Sequence, residues 1–442
     1  MSKLLIRHGH VVSLDPTVGT VADCDVLIEA GHIAEVGPEL AVTDAEIIEA
    51  AGTVVIPGLV DTHRHLWQTA VRGTLPSCTL GDYFAEVMGT VAPAFRAQDV
   101  YAGNLIGAYE ALNAGVTTVV DWCNCTNTPE HADAAIQALQ ETGIRAVYAY
   151  GCPGGWEWLG GSSLNHPADA RRARSEYFSS EDQLLTFALA LRGPGGGTPD
   201  VNRDDFALAR ELEARITVHT GMRITGVQAR EFDELRKFEL LGPDVTYVHC
   251  NCTPDSDLRA VAESGGTVSI SPYVEMLMGH GVPPTGRLLA AGLRPTLSVD
   301  VATSAPGDMF TQMRTALVEE RIQAFGPDEN EPFAPELTAA DVLQFATIDG
   351  AAACGLEHRT GSLTPGKAAD VVLIRADQIN TLPCPDPVAT VVTCADTANV
   401  DTVIVAGRVV KRDGKLLDAD LSRLRSLASE ARDAVLGSVT RA

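Results

Sequence analysis

The stretch Val54-Val55-Ile56-Pro57-Gly58-Leu59-Val60-Asp61-Thr62-His63-Arg64-His65 decides how the rest of the chain is read. An apolar, β-branched run crosses a proline–glycine break and ends in two histidines separated by one residue. On a strand, residues i and i+2 point to the same face. His63 and His65 therefore present two imidazoles side by side at the strand's carboxyl end, a geometry suited to two ligands of one metal ion. An isolated His-x-His is more often a pair of solvated loop histidines. The apolar run before it and the histidines farther along favour the metal.

Seven further apolar runs alternate with helical stretches, at residues 116–120, 145–150, 184–191, 216–219, 245–249, 267–271 and 295–300. Near-continuous apolar strands of this kind belong in a sheet covered on both faces. The helices between them end repeatedly in glycine, as in Ala114-Gly115, Thr142-Gly143, Ser264-Gly265-Gly266 and Ala291-Gly292. Glycine just past a helix takes the left-handed conformation that stops it cheaply. With the opening strand there are eight βα units, the number that closes a (β/α)8 TIM barrel. An open doubly wound sheet is the alternative, but no GxGxxG follows a first strand to support it.

Short strand-like runs separated by turn residues fill positions 4–56 and return at 370–374 and 400–410. Too short to stand alone, they are expected to pair. The expected architecture is an α/β chain. A barrel hydrolase domain at residues 57–361 carries a small β-sandwich domain built from both termini, 1–56 and 362–442. A helix at 337–346 is capped by Thr338, and a polar helix at about 422–436 closes the chain.

The chain's 442 residues, 45% of them hydrophobic, are enough for a large core, and its net charge is −25. So acidic a surface repels phosphate backbones, so nucleic acid is not an expected partner. No apolar run approaches the roughly 20 residues that span a bilayer, and the amino terminus moves straight into strand-like sequence. A cytoplasmic protein acting on a small molecule, away from membranes, is expected. The ten cysteines are scattered. The pairs Cys123/Cys125 and Cys250/Cys252 read as buried small hydrophobes or site lining before thiolate ligands.

Barrels of this type carry their sites at the carboxyl ends of the strands. His63 and His65 end the first strand, His219 the fifth, His249 the sixth and Asp300 the eighth, which neighbours the first once the barrel closes. These five side chains are expected to converge on one mouth.

His63-Arg64-His65 after Pro57-Gly58-Leu59-Val60-Asp61-Thr62, with the later histidines and aspartate, resembles the metal-dependent amidohydrolase superfamily. The resemblance is to its cytosine deaminase, guanine deaminase and triazine hydrolase (chlorohydrolase) branch. Residues 346–353, 361–374 and 403–410 agree with it. The resemblance implies that His63, His65, His219 and Asp300 bind a divalent ion, zinc before iron or manganese. Asp300 would also take a proton from the ion's water, and His249 would hydrogen-bond that water or the substrate. The resulting hydroxide would cleave a C–N bond of a small cyclic or heteroaromatic substrate. The fourth strand holds no lysine to bridge a second metal, which favours one ion. Members of the family often form homo-oligomers.

One departure stands out. The branch usually carries His-x-x-Glu on the fifth strand, whose glutamate moves protons to the ring nitrogen. Here the run is His219-Thr220-Gly221-Met222, and Met222 cannot move a proton. Glu275, just past the seventh strand, is the candidate replacement, with Glu157 behind it. Trp67, Gln68, Arg72, Trp122, Trp156 and His280 are candidate substrate contacts by position, the aromatic rings to stack on a flat heterocycle. Met222 also keeps two other readings open. One is displacement of halide or thiolate, which leave without a proton; the other is a metal-binding barrel without turnover.

Overall fold

The computed structural model describes residues 3–180, 182–223, 231–325 and 337–439. Among these, eight strands form one sheet in sequence order: Leu59–Arg64, Val116–Cys123, Arg145–Tyr150, Leu185–Leu191, Arg215–Thr220, Val245–His249, Thr267–Ile270 and Thr296–Leu297. The third strand onward pair in parallel, and the strands are apolar and buried throughout most of their length, as the continuous hydrophobic runs require. The eighth strand is shorter than its run predicts, two residues long.

The sheet closes on itself just beyond that short strand. Arg64 bridges Asp300 in parallel. Asp300 N donates to His63 O at 3.0 Å, and His65 N donates to Asp300 O at 2.9 Å. The TIM barrel expected from eight βα units is therefore present. The hydrogen bonds that seam it run through the backbone of the residues expected to form the site. Below this seam the Thr62 hydroxyl sits 2.7 Å from Ser269 Oγ and 2.8 Å from Thr296 Oγ1. A polar contact thus ties the first strand to the seventh and eighth inside the wall.

Connections follow the glycine pattern. The helix Pro129–Thr142 is stopped by Gly143 at φ 69°, and Asp255–Ser264 by Gly265 at φ 77°, both left-handed. Ala339–Phe345 is capped by Thr338, whose hydroxyl accepts from Asp341 N while the Asp341 carboxylate accepts from Thr338 N. This reciprocal pairing is a capping box.

Both termini enter one nine-stranded mixed sheet. Its centre pairs Val371–Arg375 antiparallel with Thr53–Pro57, and Val400–Val405 continues it on the other side. Leu4, Ile6, Val11, Val26 and Val55 from the front of the chain share a buried core with Val371, Leu373 and Ile404 from the back.

The chain divides into two compact units: residues 1–61, 109–118 and 308–419, and residues 62–108, 119–307 and 420–442. These limits differ from the 57–361 barrel boundaries read from the sequence. The closing helix Leu421–Val439 groups with the second unit, because it packs against the short helical turns Leu66–Val71, Phe84–Val91 and Ala92–Ala94. Those irregular turns had no sequence signal of their own. Among the described residues no helix is long and apolar enough to cross a membrane.

Candidate metal centre and active site

Four of the expected residues meet at the barrel's seam. His63 Nε2 lies 3.2 Å from His219 Nε2 and 3.3 Å from Asp300 Oδ1. His65 Nε2 lies 3.4 Å from the same oxygen. His63 and His65 stand edge to face, their ring centroids 4.8 Å apart. All are buried except His219, which is partly so.

These spacings fit a cation. Ligand atoms about 2.1 Å from a tetrahedral ion lie about 3.4 Å from one another. The proton count points the same way. His65 Nδ1 donates to Trp122 O at 2.7 Å, so the neutral ring turns a lone pair, not a proton, toward the Asp300 carboxylate. Burial pushes His65 down to about 3 and holds His63 and His219 below the usual histidine value. Burial works against the Asp300 charge too, but the His63 hydrogen bond and the facing histidines outweigh it, holding the carboxyl well below its usual range. The His65 lone pair facing that carboxylate at 3.4 Å repels it unless a cation lies between them.

His249 is held differently. Its Nε2 is 3.8 Å from Asp300 Oδ2, and its Nδ1 lies 3.0 Å from Glu275 Oε1. Burial opposes a charge on the ring, but Glu275 and Asp300 outweigh it and raise the pKa above the ordinary value. His249 at φ 79° and Asp300 at φ 68° are both left-handed, a conformation that costs non-glycine residues roughly 1–3 kcal/mol.

Glu275 is not placed where a replacement proton carrier is needed. It is wholly buried. Oε1 also accepts from Ser271 N at 2.7 Å, and Oε2 accepts from Asn251 Nδ2 at 2.9 Å. It stands behind His249, outside the lining of the cavity, and fixes that ring.

Above the centre opens a cavity of about 270 Å³. Of the six substrate contacts expected by position, Trp122, Trp156 and His280 line it. Trp67 packs edge-on against Phe95 and donates to Asn124 Oδ1 at 2.8 Å. Gln68 is buried and donates to Tyr83 Oη at 2.7 Å. Arg72 is exposed. None of these three borders the cavity. Tyr83, Asn124, Phe84, Met88, Arg192 and Glu231 do, and position after a strand had not marked them. Tyr83, Phe84 and Met88 come from the irregular turns after the first strand, where no periodicity exists to read. Arg192, beyond the fourth strand, lies over the Trp158 ring at 5.1 Å and pairs with Asp205 at 3.4 Å. Glu157, the weaker replacement candidate, does not line the cavity either. The ten cysteines are all free, and Cys123, Cys125 and Cys250 are buried, as small apolar side chains.

A closed barrel whose mouth carries three imidazoles and an aspartate at ligand spacing, opening on a cavity, is the site of a metal-dependent hydrolase. The chain belongs to the amidohydrolase family, whose model matches residues 54–410, and it hydrolyses carbon–nitrogen bonds other than peptide bonds. It is 27% identical to a 5′-deoxyadenosine deaminase of Methanosarcina mazei, covering 99% of this chain and 100% of that one. With a 5-methylthioadenosine/S-adenosylhomocysteine deaminase of Symbiobacterium thermophilum it shares 30% identity, covering 93% and 94%. Its fold superposes on an adenosine deaminase from Xanthomonas campestris with bound zinc, at TM-score 0.87 and 23% identity over 99% of each chain. An atrazine chlorohydrolase from Arthrobacter aurescens complexed with zinc superposes at TM-score 0.86 and 22% identity, over 97% of this chain and all of that one.

Proposed function

We propose that this protein deaminates a small, flat aminoheterocycle of the adenine-nucleoside type, using one divalent ion held by His63, His65, His219 and Asp300. The observation that carries the reading is the Asp300 carboxylate, 3.3 and 3.4 Å from two histidines and open to a cavity walled by aromatic rings. The deaminase names of relatives that span the chain supply the substrate class. The absence of lysine from Leu185–Leu191 supports a single ion. Zinc is the first choice, with ferrous iron and manganese as alternatives. Ten free cysteines suit a reducing, cytoplasmic setting.

Bound there, the ion supplies Lewis acidity and brings the pKa of water toward 7. The chain's own residues do the rest. Asp300 accepts the proton of the attacking water and returns it to the departing amine. His249 carries a proton toward the cavity and stabilises negative charge as it develops on the incoming oxygen. Glu275 keeps that imidazole oriented and raises its pKa. Trp122, Trp156 and Trp158 offer faces to the ring of the substrate.

Zinc-loaded protein offered 5′-deoxyadenosine, 5′-methylthioadenosine, cytosine and guanine should release ammonia from at least one. Ammonia from none of them overturns the reading. Halide or thiolate release from haloaromatic or thioether probes would install the other leaving groups in its place. Glu275→Gln keeps an acceptor opposite His249 Nδ1 but removes the charge. It should lower kcat about a hundredfold, leave KM nearly unchanged and drop the His249 pKa in NMR titration. An unchanged kcat would remove Glu275 from the mechanism.

A further inference from the structure

Hydrolysis of an amidine-type C–N bond needs two proton transfers. As water attacks, electrons move onto the ring nitrogen, which must gain a proton; the amine must gain another to leave. Asp300 can serve the amine with the proton it takes from water. The ring nitrogen needs a second donor, and Met222, which lines the cavity beside His219, cannot supply one.

Among the described residues lining the cavity there are two carboxyl groups, Asp300 and Glu231. Glu231 begins the helix Glu231–Lys237 and is only 4% exposed. Its Oε2 accepts from Gly221 N at 2.7 Å. It is thereby tied to the turn that carries Met222, just past the fifth strand, which holds His219.

We propose that Glu231 is the acid that protonates the substrate's ring nitrogen, filling from the next helix the place Met222 leaves empty. The proposal rests on the deaminase reading of the site. The step balances. The Glu231 carboxylic acid gives its proton to the ring nitrogen as the C–O bond forms and Asp300 takes the water's proton. Asp300 then protonates the amine, the exocyclic C–N bond breaks, and ammonia leaves. The new hydroxyl returns its proton to Glu231 as the carbonyl forms. Both carboxyl groups end as they began.

Outside Arg192 and the histidines already given a role, the other titratable lining groups are less suited to this transfer. Burial pushes the Cys152 thiol up to about 11, raises Tyr83 far above a usable range and lowers His280 to about 3. Burial raises Glu231 to about 7, with its hydrogen bond from Gly221 N opposing and the Glu234 charge assisting. Among the described residues, the buried Cys250 thiol just past the sixth strand is another titratable group near it. A carboxyl half-protonated near neutrality is matched to giving and recovering a proton each cycle.

The test uses the full-length, zinc-loaded protein and whichever of the four amino compounds releases ammonia; if none does, the deaminase reading fails and this assignment falls with it. Given a substrate, Glu231→Gln should lower kcat about a hundredfold or more while zinc content and Tm stay at parental values. The parent's kcat should fall as pH rises through about 7, since the acid form is the active one, and this limb should vanish in the variant. Glu231→Asp, which withdraws the carboxyl by one methylene, is the second variant should glutamine not fold, and it should also lose rate. Adding Met222→Glu to Glu231→Gln should recover at least tenfold. Parental kcat with an unchanged pH profile in either single variant overturns the assignment, as does a loss that only follows lost zinc.

Discussion

Asp300→Asn is expected to lower kcat by about a thousandfold or more, within the range that a positioned acid–base group contributes, while retaining part of the metal affinity. The two side chains have nearly the same shape, and an amide oxygen can still face His63 and His65. It cannot take the proton of the attacking water or return one to the amine. Asparagine also tolerates the left-handed backbone that Asp300 adopts at φ 68°. The seam bonds from Asp300 N to His63 O and from His65 N to Asp300 O involve only the backbone, so Tm should move little. The loss of charge has a second reading: Asp300 is one of the groups that raise the His249 pKa, which should fall in the variant. Elemental analysis, Tm and steady-state rates together separate chemistry from folding. Turnover above about a tenth of the parent's, far less than a general base is worth, would remove Asp300 from the mechanism.

His63→Ala is expected to abolish metal binding and activity together. His63 is the common member of the cluster: its Nε2 faces both His219 Nε2 and Asp300 Oδ1. Without it, His219 loses the imidazole nitrogen 3.2 Å from its own, and the Asp300 carboxyl loses the hydrogen bond that most lowers its pKa. The cleanest readout is linkage. Zinc at a thousand times its dissociation constant stabilises a native protein by about 4 kcal/mol. Chelator-stripped parent should gain that increment when zinc is restored, as a rise in Tm, and the variant should gain none. A variant with the parental zinc-dependent Tm shift would place the ion elsewhere.

The three histidines and Asp300 were legible because each falls at or just past the carboxyl end of a strand. Apolar runs mark the strands, glycines mark the helix ends between them, and counting eight units puts every strand's last residue at one rim. The same regularity made the seam legible, since the first and eighth strands must meet when a barrel closes. Glu275 was visible as a carboxylate past the seventh strand, but not its direction. Its oxygens are taken by His249, Ser271 N and Asn251, contacts set by how two neighbouring loops fold over each other. Trp67 and Gln68 follow the metal strand yet turn into the protein, because Leu66–Val71 coils into a short helical turn with all six residues buried.

The sequence by itself determined the barrel, the sheet shared by both termini and the meeting of His63, His65, His219 and Asp300 at the barrel's mouth. These depend on periodicity and on chain order, which residue types write directly. Only the tertiary structure decided which side chains wall the cavity, that Glu275 stands behind His249, and that Glu231 reaches the turn where Met222 leaves a gap. Those outcomes depend on where irregular segments point once packed. A buried side chain reads the same in sequence whether it meets another core residue or an open cavity, since the hydrophobic effect rewards removal from water and carries no direction.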